Sequence, residues 1–132
     1  MYKINVLVSL LVLVIGFGCT HIDNTAHVPG SNTQQLAHTK ETIAWDMIHN
    51  GALILDVRTK REYDQGHLEN ALFIPHSVLA DNLAQLGADK NKPIVTYCAA
   101  GGRAGIAKTL LEDYGFTHVH NGGGYKQLMQ TK

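Results

Sequence analysis

From Thr39 onward, apolar positions fall into short runs punctuated by glycine, proline and polar clusters, and the runs alternate between two periods. Ile43, Ala44, Met47 and Ile48 share one face at helical spacing. Thr39 stands ahead of them as an N-cap, and Asn50-Gly51 follows as a stop. Trp45 reads as packing. Ala52-Leu53-Ile54-Leu55 is continuously apolar, as expected of a strand buried on both faces. Arg61 to Gln65 predicts a short helical turn ended by Gly66, and Leu72-Phe73-Ile74 a second strand closed by Pro75. Val78, Leu79, Leu83 and Leu86 have helical spacing, with Gly87 as the stop. Ile94 to Tyr97 is the third apolar strand. Ala104, Ala107, Leu111 and Tyr114 mark the inner face of the next helix, stopped by Gly115. His118-Val119-His120 reads as a short strand, Gly122-Gly123-Gly124 as a flexible turn, and Tyr125 to Met129 as a last helix.

Strands alternating with helices predict an α/β architecture: a mainly parallel sheet, covered on both faces and joined by right-handed connections. Active sites in such sheets lie beyond the carboxyl ends of the strands. Residues 39–132 suffice for one core.

The N-terminal third has a different pattern. Lys3 precedes Val6 to Ile15, which is apolar except for Ser9. That run suits an export signal and falls short of the ~20 apolar residues that span a bilayer comfortably. Gly16-Phe17-Gly18-Cys19 follows. A small residue before a cysteine at this point resembles the lipobox of bacterial lipoproteins, although Gly16 stands where an aliphatic residue is usual. The resemblance implies lipidation of Cys19, export to the periplasm and attachment to a membrane through the lipid. Residues 1–18 thus read as a lipoprotein-type signal peptide and 19–38 as a flexible tether containing Pro29-Gly30-Ser31-Asn32. The tether histidines His21, His27 and His38 are irregularly spaced and carry no metal motif.

Composition narrows the function. Eleven basic residues balance eleven acidic ones without a run of either sign, so the basic stripe of a nucleic-acid surface is missing. Two cysteines, Cys19 and Cys98, are too few for a disulfide scaffold and sit in unlike contexts.

The informative context is that of Cys98. A strand runs into Cys98-Ala99-Ala100-Gly101-Gly102-Arg103, and a helix follows. Side chains this small let the backbone curl round the sulfur and turn its N–H groups inward. The helix N-terminus adds partial positive charge, and Arg103 offers a planar donor fork to an oxyanion. Each effect favours thiolate over thiol, so the cysteine can act as a nucleophile without a neighbouring base.

Cys98-x-x-Gly101-x-Arg103 resembles the active-site loop of the rhodanese family of sulfurtransferases. Asp56-Val57-Arg58, Glu62-Tyr63, Gly66-His67-Leu68, Ala71 and Ile74-Pro75 resemble the family's first signature. Gly115 to Val119 and Asn121 to Gly124 resemble its closing segment. With the leader, the chain is most similar to single-domain periplasmic rhodaneses of the phage-shock type. Glu69-Asn70 replaces a frequent Pro-Gly, and Asn tolerates the left-handed backbone that Gly supplies. Phe73 replaces a frequent Asn. The resemblance implies a three-layer α/β/α fold over residues 39–132 with a mainly parallel central sheet. It also implies sulfur transfer through a persulfide on Cys98. The donor is a small anion such as thiosulfate, and the acceptor is cyanide or a thiol, a protein thiol included. No metal or organic cofactor enters. Ala99, Ala100, Gly101, Gly102 and Arg103 would then bind substrate.

Asp56 and Arg58 are expected to support the site as a cap or turn and an arginine–carboxylate pair, with Glu62 as a candidate partner. His67 reads as packing. His118 and His120 could share a strand face but lack a third ligand. Two rival readings remain. Phosphatases and arsenate reductases also use a cysteine–arginine cradle, but with one more residue between the pair than the four here. A non-catalytic binding module of the same fold would typically lose the cysteine.

Overall fold

The computed structural model describes residues 38–132. The proposed signal peptide, Cys19 and all of the tether except His38 lie outside the described residues.

Thr39 caps α1 (Lys40–His49), its hydroxyl accepting from the Thr42 N–H at 3.2 Å. β1 (Leu53–Asp56) follows. Thr59 then opens α2 (Lys60–Asp64) with a capping box: its hydroxyl accepts from the Glu62 N–H, and the Glu62 carboxylate accepts from the Thr59 N–H. Beyond β2 (Leu72–Phe73), two 3-10 stretches occupy His76–Val78 and Ala80–Leu86. β3 (Ile94–Cys98), α3 (Gly102–Asp113), β4 (Val119–Gly124) and α4 (Tyr125–Gln130) complete the chain.

The four strands pair in the order β2-β1-β3-β4, every pair parallel. Alternate residues of each strand face opposite sides. On one side Leu55, Val57 and Ile94 pack with Ala104, Ala107 and Leu111 of α3 and with Leu79 and Leu86. On the other, Ile54, Val95 and Tyr97 pack with Ala44 and Trp45 of α1 and Leu128 of α4. The Trp45 indole N–H donates to the Leu128 carbonyl at 2.9 Å, tying α1 to α4. This is the expected parallel sheet between two helical layers. Asn70 takes the left-handed conformation, φ 62°.

Three local expectations change. Val78 to Leu86 is not one amphipathic helix but 3-10 turns broken at Asn82 (φ −120°, ψ 15°). The Asn82 side chain donates to the Val78 carbonyl at 2.8 Å, offering the backbone an alternative to helical bonding. Leu79 and Leu86 are buried, while Val78 is exposed. Tyr114 does not join the inner face of α3. It caps that helix and is exposed, and Gly115 (φ 91°) swings Phe116 onto the core in its place. Finally, Gly122-Gly123-Gly124 is no flexible turn. It is the buried end of β4, where glycine permits close approach: a Cβ on Gly122 would lie 2.9 Å from Val95 Cγ1 and 3.2 Å from Ala44 Cβ.

Candidate active site

β3 delivers Cys98 to the carboxyl edge of the sheet, in register with Gly124 of β4. The loop turns at Gly101, whose φ of 96° is costly for any residue with a Cβ. α3 starts at Gly102. The Gly101 N–H donates to Cys98 Sγ at 3.0 Å. Cys98 is 1% exposed. Burial alone would push the thiol up, but the N–H groups of Ala104, Ala100, Gly101 and Arg103 draw it down, and the balance lies below the ordinary value.

Arg103 points back across the loop to α2. Its two Nη atoms meet the two Glu62 carboxylate oxygens at 2.8 and 2.7 Å. The Thr59 hydroxyl also donates to Glu62, at 2.7 Å. Arg103 chiefly, and Thr59 with it, outweighs burial and holds the Glu62 carboxyl far below the usual carboxylate range. The Glu62 hydrogen bond outweighs partial burial and raises Arg103, and the nearby Cys98 sulfur raises it further. The guanidinium fork expected to meet an oxyanion is therefore taken up by Glu62.

A second tie comes from β4. The Asn121 amide donates to the Gly101 carbonyl at 3.1 Å and accepts from the Gly123 N–H at 2.9 Å. At Gly124 a Cβ would fall 2.6 Å from the Ala99 carbonyl oxygen and 3.2 Å from Ala100 Cα. The cysteine loop rests on bare backbone there.

Asp56 and Arg58 form a buried pair, with Arg58 Nη2 2.6 Å from Asp56 Oδ2. Arg58 Nη2 also donates to the Gly66 carbonyl at 2.7 Å. The Tyr97 hydroxyl donates to Asp56 at 2.6 Å and accepts from the Leu68 N–H at 3.1 Å. Burial, then the Asp56 hydrogen bond, pushes Tyr97 well above its ordinary range. Burial works against the Arg58 charge, but Asp56 more than offsets it and raises Arg58. Arg58 thus pairs with Asp56 and not with Glu62. Its guanidinium also lies 4.5 Å from the Tyr125 ring centroid.

Tyr125 walls an open cleft of about 300 Å³ bordered by Arg58, Glu62, Gly66, Ala99 and Lys126. The expected site residues thus divide. Ala100, Gly101 and Arg103 gather with Cys98 round the sulfur, Ala99 faces the cleft, and exposed Gly102 opens α3. Asp56 and Arg58 brace the wall. Sequence reasoning missed Ala104, Asn121, Tyr125, Lys126 and the Arg103 bond to Glu62. Only Glu62 left a readable trace, the Thr59-x-x-Glu62 capping box. His67 stacks on Tyr63 at 3.8 Å, as packing requires. His118 Nδ1 lies 2.8 Å from the Thr117 hydroxyl, and His120 Nε2 donates to the Lys40 carbonyl at 2.7 Å.

The rhodanese-like domain model matches residues 40–131. The chain belongs to the rhodanese-like family. It is similar to thiosulfate sulfurtransferase PspE of Escherichia coli (strain K12), 38% identical over 78 residues, which are 59% of this chain and 75% of that one. A tRNA uridine(34) hydroxylase of Escherichia coli O1:K1 / APEC is 35% identical over 103 residues, 74% of this chain but only 29% of the hydroxylase. Among solved structures, a rhodanese with anions from E. coli superposes with a TM-score of 0.55 at 39% identity, covering 57% of this chain and 88% of the other. The α/β fold and a sulfurtransferase family are thereby fixed for this rhodanese-like chain.

Proposed function

We propose that the chain is a thiosulfate sulfurtransferase that carries sulfur as a persulfide on Cys98. The observation that supports this most is the set of backbone N–H groups turned on a buried sulfur, with Arg103 beside it. The Cys98 thiolate attacks the outer, sulfane sulfur of thiosulfate. The bond from that sulfur to the oxidised sulfur breaks, and sulfite leaves with the electron pair. Cys98 then carries a persulfide anion. Cyanide or a thiolate takes the terminal sulfur and returns the Cys98 thiolate. Negative charge stays on one side of the loop throughout, so the same N–H groups serve both states. Ala99 to Arg103 hold the reacting anions, and Asp56 with Arg58 keeps the wall in place. The exchange calls on no metal or organic cofactor.

The leader supports export, with Cys19 lipidated and the domain tethered to a membrane on the periplasmic side.

The direct test offers the protein thiosulfate with cyanide and, separately, an aryl phosphate. The expected result is thiocyanate, no phosphate release, one added sulfur atom on the intact protein after thiosulfate alone, and none of this for Cys98→Ser. Phosphate release without thiocyanate would favour the phosphatase reading. An active Cys98→Ser variant would end the proposal.

A further inference from the structure

Two cationic side chains, Arg58 and Lys126, line the cleft beside the cysteine loop. Arg58 is neutralised by Asp56. Arg103 stands outside that lining, with both its Nη atoms on Glu62. Lys126 is the cation left over. It lines the same cleft as Ala99 and Tyr125, and it is exposed. Among the described residues, the ion pairs are Arg58–Asp56, Lys60–Asp64, Arg103–Glu62 and Lys108–Glu112, so Lys126 has no carboxylate partner there. An anion entering the cleft meets one cation closed by its own carboxylate and one open cation.

The backbone places Lys126 beside the cysteine loop. Gly124 is the register partner of Cys98 and lies against Ala99 and Ala100. Lys126 follows two residues later, in the first turn of α4. A lysine stem is flexible, and its ammonium is a compact charge with three donors. Those properties suit a small tetrahedral oxyanion that must enter with one charge distribution and leave with another.

We propose that Lys126 is the specificity-determining cation of this site. It holds the oxygen-bearing end of the sulfur donor while the sulfane end faces Cys98, and it then holds the departing sulfite. This rests on the sulfurtransferase reading for the identity of the anion. The anion subsite itself rests on the cleft and its charge balance. Lys40 sharpens the assignment. It flanks the other side of the loop, its Nζ 3.5 Å from where a Gly101 Cβ would sit, and it does not line the cleft.

The test separates binding from turnover. Thiosulfate and sulfite are titrated calorimetrically into the full-length Cys98→Ser protein, with and without Lys126→Gln, Lys126→Arg or Lys40→Gln. The expected result is about a tenfold weaker affinity with Lys126→Gln, the scale of one charge-assisted hydrogen bond. Lys126→Arg should restore most of the affinity, and Lys40→Gln should change it less than threefold. Unchanged affinity with Lys126→Gln, or an equal loss with Lys40→Gln, overturns the proposal: the first means the ion binds elsewhere, the second that only a general field is felt. With Cys98 intact, Lys126→Gln should also raise the KM for thiosulfate about tenfold, on the same scale; an unchanged KM would contradict it. If the ion binds through Lys126 but intact Cys98 takes up no sulfur, the sulfurtransferase reading fails and the subsite stands.

Discussion

Cys98 shows how two opposed effects are settled at a single atom. Its burial works against ionisation, and the backbone donors around it work for ionisation and prevail. Those donors belong to the main chain, so substitutions act on them only by moving the loop. Asp56 is the corresponding case for structure. It is fully buried and accepts from the Arg58 side chain, the Arg58 N–H and the Tyr97 hydroxyl. Asp56→Asn keeps the shape but leaves the Arg58 charge uncompensated. Removing one member of a buried ion pair costs about 3–5 kcal/mol, so the variant should unfold at markedly lower urea concentration than the parent chain. A midpoint within the error of the parent would mean that water or Tyr125 suffices to carry the charge. The gathering of the loop round Cys98 was readable because the residues that turn their N–H groups on the sulfur are its neighbours in sequence. The Arg103–Glu62 and Asn121–Gly101 bonds were not, because their partners meet only after the sheet has formed.

Among the elements, β4 carries the most function per residue. Its three terminal glycines look like slack in sequence, since glycine is permissive and breaks both regular periods. In the fold they are where α1 and the cysteine loop approach a strand too closely for any side chain. Gly122→Ala would set a methyl group against Val95 and Ala44, and overpacking of this kind costs about 1–3 kcal/mol. Gly124→Ala presses on the Ala99 carbonyl and Ala100 instead, so it should lower sulfur-transfer activity by more than its loss of thermal stability explains. Equal activity per folded molecule in the two variants would show that the loop does not depend on β4. The strands and α1 were legible because burial on both faces or a capping threonine marks them directly. The Val78–Leu86 segment was not, because apolar spacing alone does not separate 3-10 turns from an α-helix once a side chain such as Asn82 competes for the backbone.

At the scale of the whole molecule, two apolar layers fix the sheet and the sheet aims one edge at the solvent. The cysteine loop, the Arg103–Glu62 pair and the cleft all lie along that edge. The proposed leader would tether the domain to a membrane. Replacing Cys19 by alanine should then move the protein from the membrane fraction to the soluble fraction of cells, and continued membrane attachment would point to an uncleaved anchor. The account as a whole depends on the charge state of Cys98, and that can be measured in a Cys19→Ala chain, where it is the one thiol. The rate of alkylation by iodoacetamide is followed against pH. Because the shift is downward, thiolate should persist below the ~8.5 midpoint of a free cysteine, and reactivity should fall only as pH drops through the lowered value. A midpoint at or above that of a free cysteine would contradict the account.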